Sequence, residues 1–162
     1  MTLPTKITVI GAGSASFGEN TLSAIIRSKK LRGSKLALVD RNADSLDIVH
    51  RLARRLNQDW DAQFEISAHT DHCEALPESK FVVNAIEVGA RENLWKMDFE
   101  IPIKYGVRQP YAENGGPGGF AHAARNTGPI LEIVRDMEQA CPDAWFINYT
   151  NPMVRICDLV NR

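Results

Sequence analysis

Cysteine, net charge and long apolar runs are all scarce in this chain, and each scarcity excludes something. Its three cysteines, Cys73, Cys141 and Cys157, are odd in number and form no C-x-x-C pair. They therefore read as reduced thiols in a cytoplasmic protein and not as a disulfide frame. A formal net charge of −1 leaves no broad electrostatic footprint for nucleic acid or an anionic membrane. No run approaches the length of a membrane span, and the first residues lack a secretory apolar segment. Internal repeats and low-complexity tracts are also missing. What remains, at 162 residues with 44% hydrophobic and 24% charged residues, has the composition of one ordinary globular domain with a sizeable core.

The stretch from Lys6 to Gly18 organises that domain. Ile7, Val9 and Ile10 belong to a short β-branched run that reads as a buried parallel strand. Gly11 and Gly13 follow at once, and a helical pattern begins near Ser16. Gly11 permits a sharp turn, Gly13 lets a pyrophosphate approach the backbone, and the free N–H groups of the next helix face that anion. Ser16 stands where the G-x-G-x-x-G fingerprint has its third glycine. A second strand, Lys35–Val39, runs into Asp40, at the spacing where an acid accepts hydrogen bonds from an adenosine ribose. An acid there favours NAD over NADP, because it repels a ribose 2′-phosphate; Arg41 beside it works against that preference. The alternative is a glycine turn in a doubly wound fold that binds nothing.

The rest of the chain alternates helix and strand. The first helix is expected from about Ser16 to Ser28, with Leu22, Ile25 and Ile26 on one face and Gly33 beyond its basic end. Asn42 is the expected N-cap of a helix to about Gln58, whose Arg51, Arg54 and Arg55 read as a solvated face in preference to a phosphate patch. Phe64–Ala68 is the third strand. After it, His69, Asp71, His72 and Cys73 are the residue types of a metal site. The capping-box spacing of Asp71 and Glu74, ahead of a short helix through Leu76, accounts for them without a metal. Phe81–Ile86 is the fourth strand, with Asn84 at its carboxyl end, where such folds skirt a nicotinamide ribose. Gly89 permits the exit turn. Leu94, Met97 and Ile101 mark a helix from Asn93 to about Lys104, kinked or ended by Pro102. Tyr105–Gly119 reads as loop, and its glycine-rich centre is either a backbone lying close to a ligand or a surface connector. A helix from Phe120 to Gln139 is expected to be interrupted near Gly128-Pro129. Trp145–Tyr149 is a fifth strand, Thr150–Met153 a turn, and Met153–Arg162 begins another helix. The pattern predicts an α/β doubly wound parallel sheet in the order 3-2-1-4-5, with ligands bound past the carboxyl ends of its strands. The glycine turn, Asp40, Asn84 and Asn151 are expected along that rim.

The run Ile7–Gly18, Arg91-Glu-Asn-Leu94, Asp98–Gly106, Gly116-Pro-Gly-Gly119, Arg125, Cys141–Trp145 and Asn148-Tyr-Thr-Asn-Pro-Met153 together resemble the family-four glycoside hydrolases, on their α-galactosidase and α-glucuronidase side. The resemblance implies a Rossmann-like domain of the lactate/malate dehydrogenase type over residues 1–162, with the C-terminal metal and catalytic domain absent from this chain. It also implies a redox–elimination glycosidase, an NAD-dependent exception to the two-carboxylate schemes. In that route hydride leaves sugar C3 for NAD and a base removes the acidified C2 proton. The C1 group is then eliminated, water adds, and hydride returns. A divalent metal, manganese in most members, polarises the C2 and C3 oxygens. Carried over by residue, Gly11, Gly13, Ser14, Ser16 and Phe17 match the pyrophosphate turn, Asp40 the ribose acid and Asn84 the nicotinamide side. Asn151 matches a sugar-binding asparagine, and Arg91, Glu113 and Asn114 are further substrate candidates placed by loop position.

The family's metal-binding cysteine and histidine and its tyrosine base lie beyond the N-P turn, so no metal or catalytic residue is assigned here. Cys157 reads as a small core residue and His122 as a helix-surface histidine. The chain alone is expected to bind NAD without hydrolysing glycosides, and to form a homo-oligomer. Apolar surface exposed near Trp145 and near Ile156 and Val160 is the expected reason. A lactate/malate-type dehydrogenase and an inactive nucleotide-binding module are the alternative readings.

Overall fold

A computed structural model describes residues 2–14, 18–109 and 115–162, with side chains from residue 20 onward in the first helix. The chain forms two compact units, one of Met1–Ala85 with Asp136–Ile147, the other of Ile86–Arg135 with Asn148–Arg162. Its strands are β1 (Lys6–Ile10), β2 (Lys35–Val39), β3 (Glu65–His69), β4 (Phe81–Asn84) and β5 (Trp145–Asn148). They form one sheet in the order β3-β2-β1-β4-β5, as the alternation of elements predicts. β1 pairs in parallel with β2 and β4, and β2 with β3. Its helices are α1 (Gly18–Arg27), α2 (Ala43–Asp59), α3 (His72–Ala75), α4 (Arg91–Lys104), α5 (Gly116–Ala140) and α6 (Met153–Val160). Among the described residues no helix is long and apolar enough to cross a membrane.

In the first unit, Val9, Leu36 and Leu38 from the central strands and Leu22 and Ile26 from α1 are almost wholly enclosed in one apolar cluster. Burial of such side chains is the main force holding a sheet of this kind. Thr8 is the polar exception in β1. Its hydroxyl reaches Ala75 O at 3.2 Å and Ser79 Oγ at 2.7 Å, so a buried polar atom stitches β1 to the chain around α3. Asn42 caps α2 as expected, its Oδ1 accepting from Ser45 N at 3.0 Å. Arg51 and Arg55 pair with Asp47 and Asp59 one turn away on the exposed face. Asp71 caps α3 by accepting from Cys73 N at 2.9 Å. Glu74 does not complete the box; its carboxylate goes to His69 Nδ1 at 3.2 Å.

The chain after β4 departs from the sequence expectations in several places. In α4 the buried positions are Asp98 and Pro102, while Met97 and Ile101 are exposed. The apolar spacing therefore does not mark the inward face there; a buried ion pair does. Pro102 does not shorten the helix, which runs on to Lys104. The carbonyl it leaves without a donor, Asp98 O, accepts from Gln109 Nε2 at 3.2 Å, which supplies the missing bond. Gly116–Gly119, expected as loop, forms the first turn of α5, where Pro117 has no N–H to leave unpaired. Pro129 sits inside that helix without interrupting its assignment. His122 is buried, not on the surface, and meets Trp95 edge-on at a 6.0 Å ring separation. Trp145 is exposed as expected, whereas Ile156 is buried and Cys157 only partly so.

The Asn42 cap yields a direct test. Asn42→Ala is expected to lower stability by about 1 kcal/mol, read as a lower urea midpoint with an unchanged slope; an unaltered midpoint would mean the cap contributes nothing.

Candidate functional site

At the carboxyl end of β1 the chain turns through Gly11, whose φ of +84° lies in the left-handed region that glycine adopts without strain. The turn is fastened to the end of β2. The N–H groups of Gly11 and Ala12 both donate to Val39 O, at 2.9 and 3.0 Å. Ser14 N closes back on Gly11 O at 3.2 Å. Gly13 N donates to Asp40 Oδ2 at 2.8 Å, and Asn42 N donates to Asp40 Oδ1 at 2.9 Å. One carboxylate thus joins the glycine turn to the start of α2.

This geometry gives Gly13 a reason other than the expected one. A Cβ on residue 13 would stand 2.8 Å from Asp40 Oδ2 and 2.9 Å from Ser45 Cβ. The glycine is required by the approach of Asp40 and Ser45, whatever lies above the turn. The described N–H groups of residues 11–14 are all committed within this clasp. Donors for a diphosphate must come from the segment after Ser14, and Ser16 and Phe17 lie outside the described residues. Asp40 keeps acceptor capacity, because each carboxylate oxygen takes more than one hydrogen bond. Asn84 is fully enclosed at the end of β4, paired in register with Ile10. Gly11, Gly13, Ser14, Asp40 and Asn84 therefore all lie at the carboxyl ends of β1, β2 and β4, where folds of this kind take their ligands.

The second unit carries the remaining candidates. Asn148 folds its amide over the following turn, donating to Thr150 O at 2.8 Å and accepting from Thr150 N at 3.2 Å. Thr150 Oγ1 donates to Ile86 O at 2.7 Å. Asn151 follows, half-buried, with a cis bond to Pro152. The turn is held by Asn148 and Thr150, so none of these bonds employs the Asn151 side chain. Arg91 opens α4 with its guanidinium 4.1 Å from the Trp95 ring centre and 3.4 Å from Glu87. Trp95 Nε1 donates to the same Glu87 at 2.7 Å. Glu113 and Asn114 lie outside the described residues.

Sequence reasoning missed the polar frame of this unit. Asp98 is buried and takes a two-pronged contact from Arg125, with Nη1 on Oδ1 at 3.0 Å and Nη2 on Oδ2. Those bonds raise the Arg125 pKa above its ordinary value, so the guanidinium stays charged. Asn126, wholly enclosed, donates to His122 O at 3.0 Å and accepts from Val88 N at 3.0 Å, tying the β4 exit to α5. The one available signal was an acid at a helical position between Leu94 and Ile101 that has a distant arginine to meet.

A doubly wound sheet with a glycine turn and an acid after β2 defines a dinucleotide-fold protein. The chain belongs to the family 4 glycosyl hydrolases, whose family model matches residues 6–162. It is 47% identical over 160 residues to an alpha-glucosidase of Erwinia rhapontici, covering 99% of this chain and 35% of that protein. It is 38% identical over 151 residues to an alpha-galactosidase of Bacillus subtilis strain 168, covering 93% of this chain and 35% of that protein. The chain thus spans about a third of the length of the curated relatives it matches. Among solved structures, a 6-phospho-beta glucosidase from Thermotoga maritima, with NAD and glucose-6-phosphate, matches at TM-score 0.80 and 26% identity, over 93% of this chain and 34% of that one. A 6-phospho-alpha-glucosidase from gut microorganisms in complex with NAD and Mn2+ matches at TM-score 0.85 and 23% identity, over 99% of this chain and 36% of that one. The second likeness bears on the fold alone.

Crowding at Gly13 is separable from the turn's other bonds. Gly13→Ala is expected to cost about 1–3 kcal/mol through overpacking. In an Asp40→Ala background that cost should fall by about 1 kcal/mol, since the atom it strikes is gone. Equal costs in both backgrounds, measured by urea unfolding, would contradict the clasp.

Proposed function

We propose that this chain is the NAD-binding part of a glycosidase that works by redox elimination. The observation that carries the reading is the Gly11–Ser14 turn clasped to Asp40 in a member of this family. Gly11, Gly13, Ser14, Ser16 and Phe17 form the proposed diphosphate turn, with donors from the segment after Ser14. Asp40, oriented by Gly13 N–H and Asn42 N–H, is the proposed acceptor for the adenosine ribose hydroxyls. Its charge disfavours a 2′-phosphate at that place. Asn84 is the proposed contact on the nicotinamide side. When bound, NAD supplies a reversible hydride acceptor for a sugar C3–H. A divalent metal of the manganese kind, proposed for the whole enzyme, supplies Lewis-acid stabilisation of charge on sugar oxygens. No ligand to that metal is assigned in this chain.

Asn151 is proposed to hold the sugar. A side-chain amide both donates and accepts, so it can bridge neighbouring hydroxyls of a polyol. The support is that Asn148 and Thr150 already hold the turn. Arg91, Glu113 and Asn114 are proposed as further sugar contacts, and a glycoside as the substrate. Exposed Trp145, Tyr149 and Val154 support self-association into a homo-oligomer. Sedimentation velocity is expected to show a mass that rises with concentration; a concentration-independent monomer would count against it.

Calorimetry tests the cofactor assignment. NAD is expected to bind at least about tenfold more tightly than NADP, a difference of about 1.4 kcal/mol. Asp40→Ala should weaken NAD by about tenfold or more, the loss of a charge-assisted hydrogen bond, and narrow the gap to NADP. Preference for NADP in the unmodified chain would overturn the role given to Asp40.

A further inference from the structure

The start of α3 brings together donors that the nucleotide reading does not use. Asp71, His72 and Cys73 each offer a ligand atom, all within 4.8 Å of one another. His72 Nδ1 lies 4.0 Å from Asp71 Oδ1. On the opposite side of the ring, Nε2 lies 2.7 Å from Asp136 Oδ2. Asp136 stands 64 residues away in sequence, near the end of α5, so capping of α3 does not explain its position. His69 is not a member, since Glu74 and Ser67 occupy its two ring nitrogens at 3.2 and 3.0 Å.

We propose that Asp71, His72 and Cys73 bind a divalent cation of the zinc class, with Asp136 as the carboxylate that orients His72 from behind.

The strongest support is the histidine. A metal-ligating imidazole ordinarily donates its second N–H to a carboxylate, which fixes the tautomer and the ring and strengthens the ligating nitrogen. Asp136 on Nε2 leaves Nδ1 as the lone-pair nitrogen, and Nδ1 faces Asp71. Asp71 spends Oδ1 on its N-cap bond to Cys73 N, so Oδ2 is available to a metal. A carboxylate oxygen, an imidazole and a thiolate form a mixed O, N, S set, which suits zinc or cobalt and not magnesium or calcium. Metal–thiolate and metal–imidazole bonds of about 2.3 and about 2.1 Å require the three donors to draw closer than they stand. Asp71 and Cys73 are exposed, so rotation of their side chains supplies that movement without disturbing the core. Water completes the coordination on the open side.

The carboxylates of Asp71 and Asp136 both stand near the Cys73 thiol. Desolvation, then the nearby charges of Asp136 and Asp71, push the Cys73 thiol up to about 11. Without a cation the thiol is protonated and lies 3.6 Å from Asp136 Oδ2. A dication replaces that proton: the S–H bond breaks, sulfur bonds the metal, and one proton goes to solvent.

The test is a titration of Co2+ into the chelator-treated chain, followed by displacement with Zn2+. A near-ultraviolet thiolate-to-cobalt charge-transfer band is expected, with one proton released per ion in calorimetry repeated across buffers. Cys73→Ser, at an exposed position, should abolish the band, while Cys157→Ser leaves it intact. Asp136→Asn should keep the band at saturation and weaken the ion about 10- to 100-fold. Absence of the band in the unmodified chain, or its survival in Cys73→Ser, would overturn the site. Unchanged affinity in Asp136→Asn would overturn the orienting role.

Discussion

A single carboxylate sets the geometry at the carboxyl ends of the first unit's β1 and β2. Asp40 accepts one backbone N–H from the glycine turn after β1 and another from the residue that caps α2. Two hydrogen bonds to an ionised acceptor are stronger than neutral ones, and here they join segments that sequence places 27 residues apart. The clasp also dictates composition. No side chain fits at residue 13 while Asp40 and Ser45 stand where they do. The glycine and the acid are therefore one feature, each needing the other, and the fold itself holds the acid in place for the ribose proposed above. Such preorganisation lowers the ordering cost of binding.

The second unit buries Ile130, Ile133 and Ile156, but its α4 turns a buried ion pair inward in place of an apolar stripe. Asp98 with Arg125, Asn126 with Val88 and His122, and Thr150 with Ile86 each satisfy groups that burial would otherwise penalise. Of these only Asp98–Arg125 is an ion pair; such pairs are weak as net stabilisers, yet removing Arg125 would leave the buried Asp98 charge without its partner, at a cost of about 3–5 kcal/mol. The Asn126 and Thr150 bonds hold the exit of β4 and join it to the turn after β5, in which Asn151 follows.

Much of the first unit was legible because its signals are local or periodic. β-branched runs, Gly11, the Asn42 cap and the order of elements each follow from short-range rules, and sheet order follows from how crossovers behave. The second unit was less legible for a physical reason. α4 hides a charge and a proline and exposes Met97 and Ile101, so an argument from apolar spacing points at the wrong face. Asp98 could be buried only because Arg125 arrives from another helix, and that meeting is a tertiary fact. The same holds for Gly13, whose position was anticipated but whose crowding by Ser45 was not, and for His72, whose partner Asp136 lies a helix away. Cap geometry predicted Asp71 correctly and Glu74 wrongly, because His69 competed for the second acid.

The central claim is that the turn clasped by Asp40 receives NAD. The most direct measurement is an NAD titration of the isotopically labelled chain followed by amide NMR. The account predicts saturable shifts concentrated in residues 11–20, 40–42 and 84–86. Saturable shifts confined elsewhere, such as the arginine face of α2, or none at millimolar NAD, would contradict it.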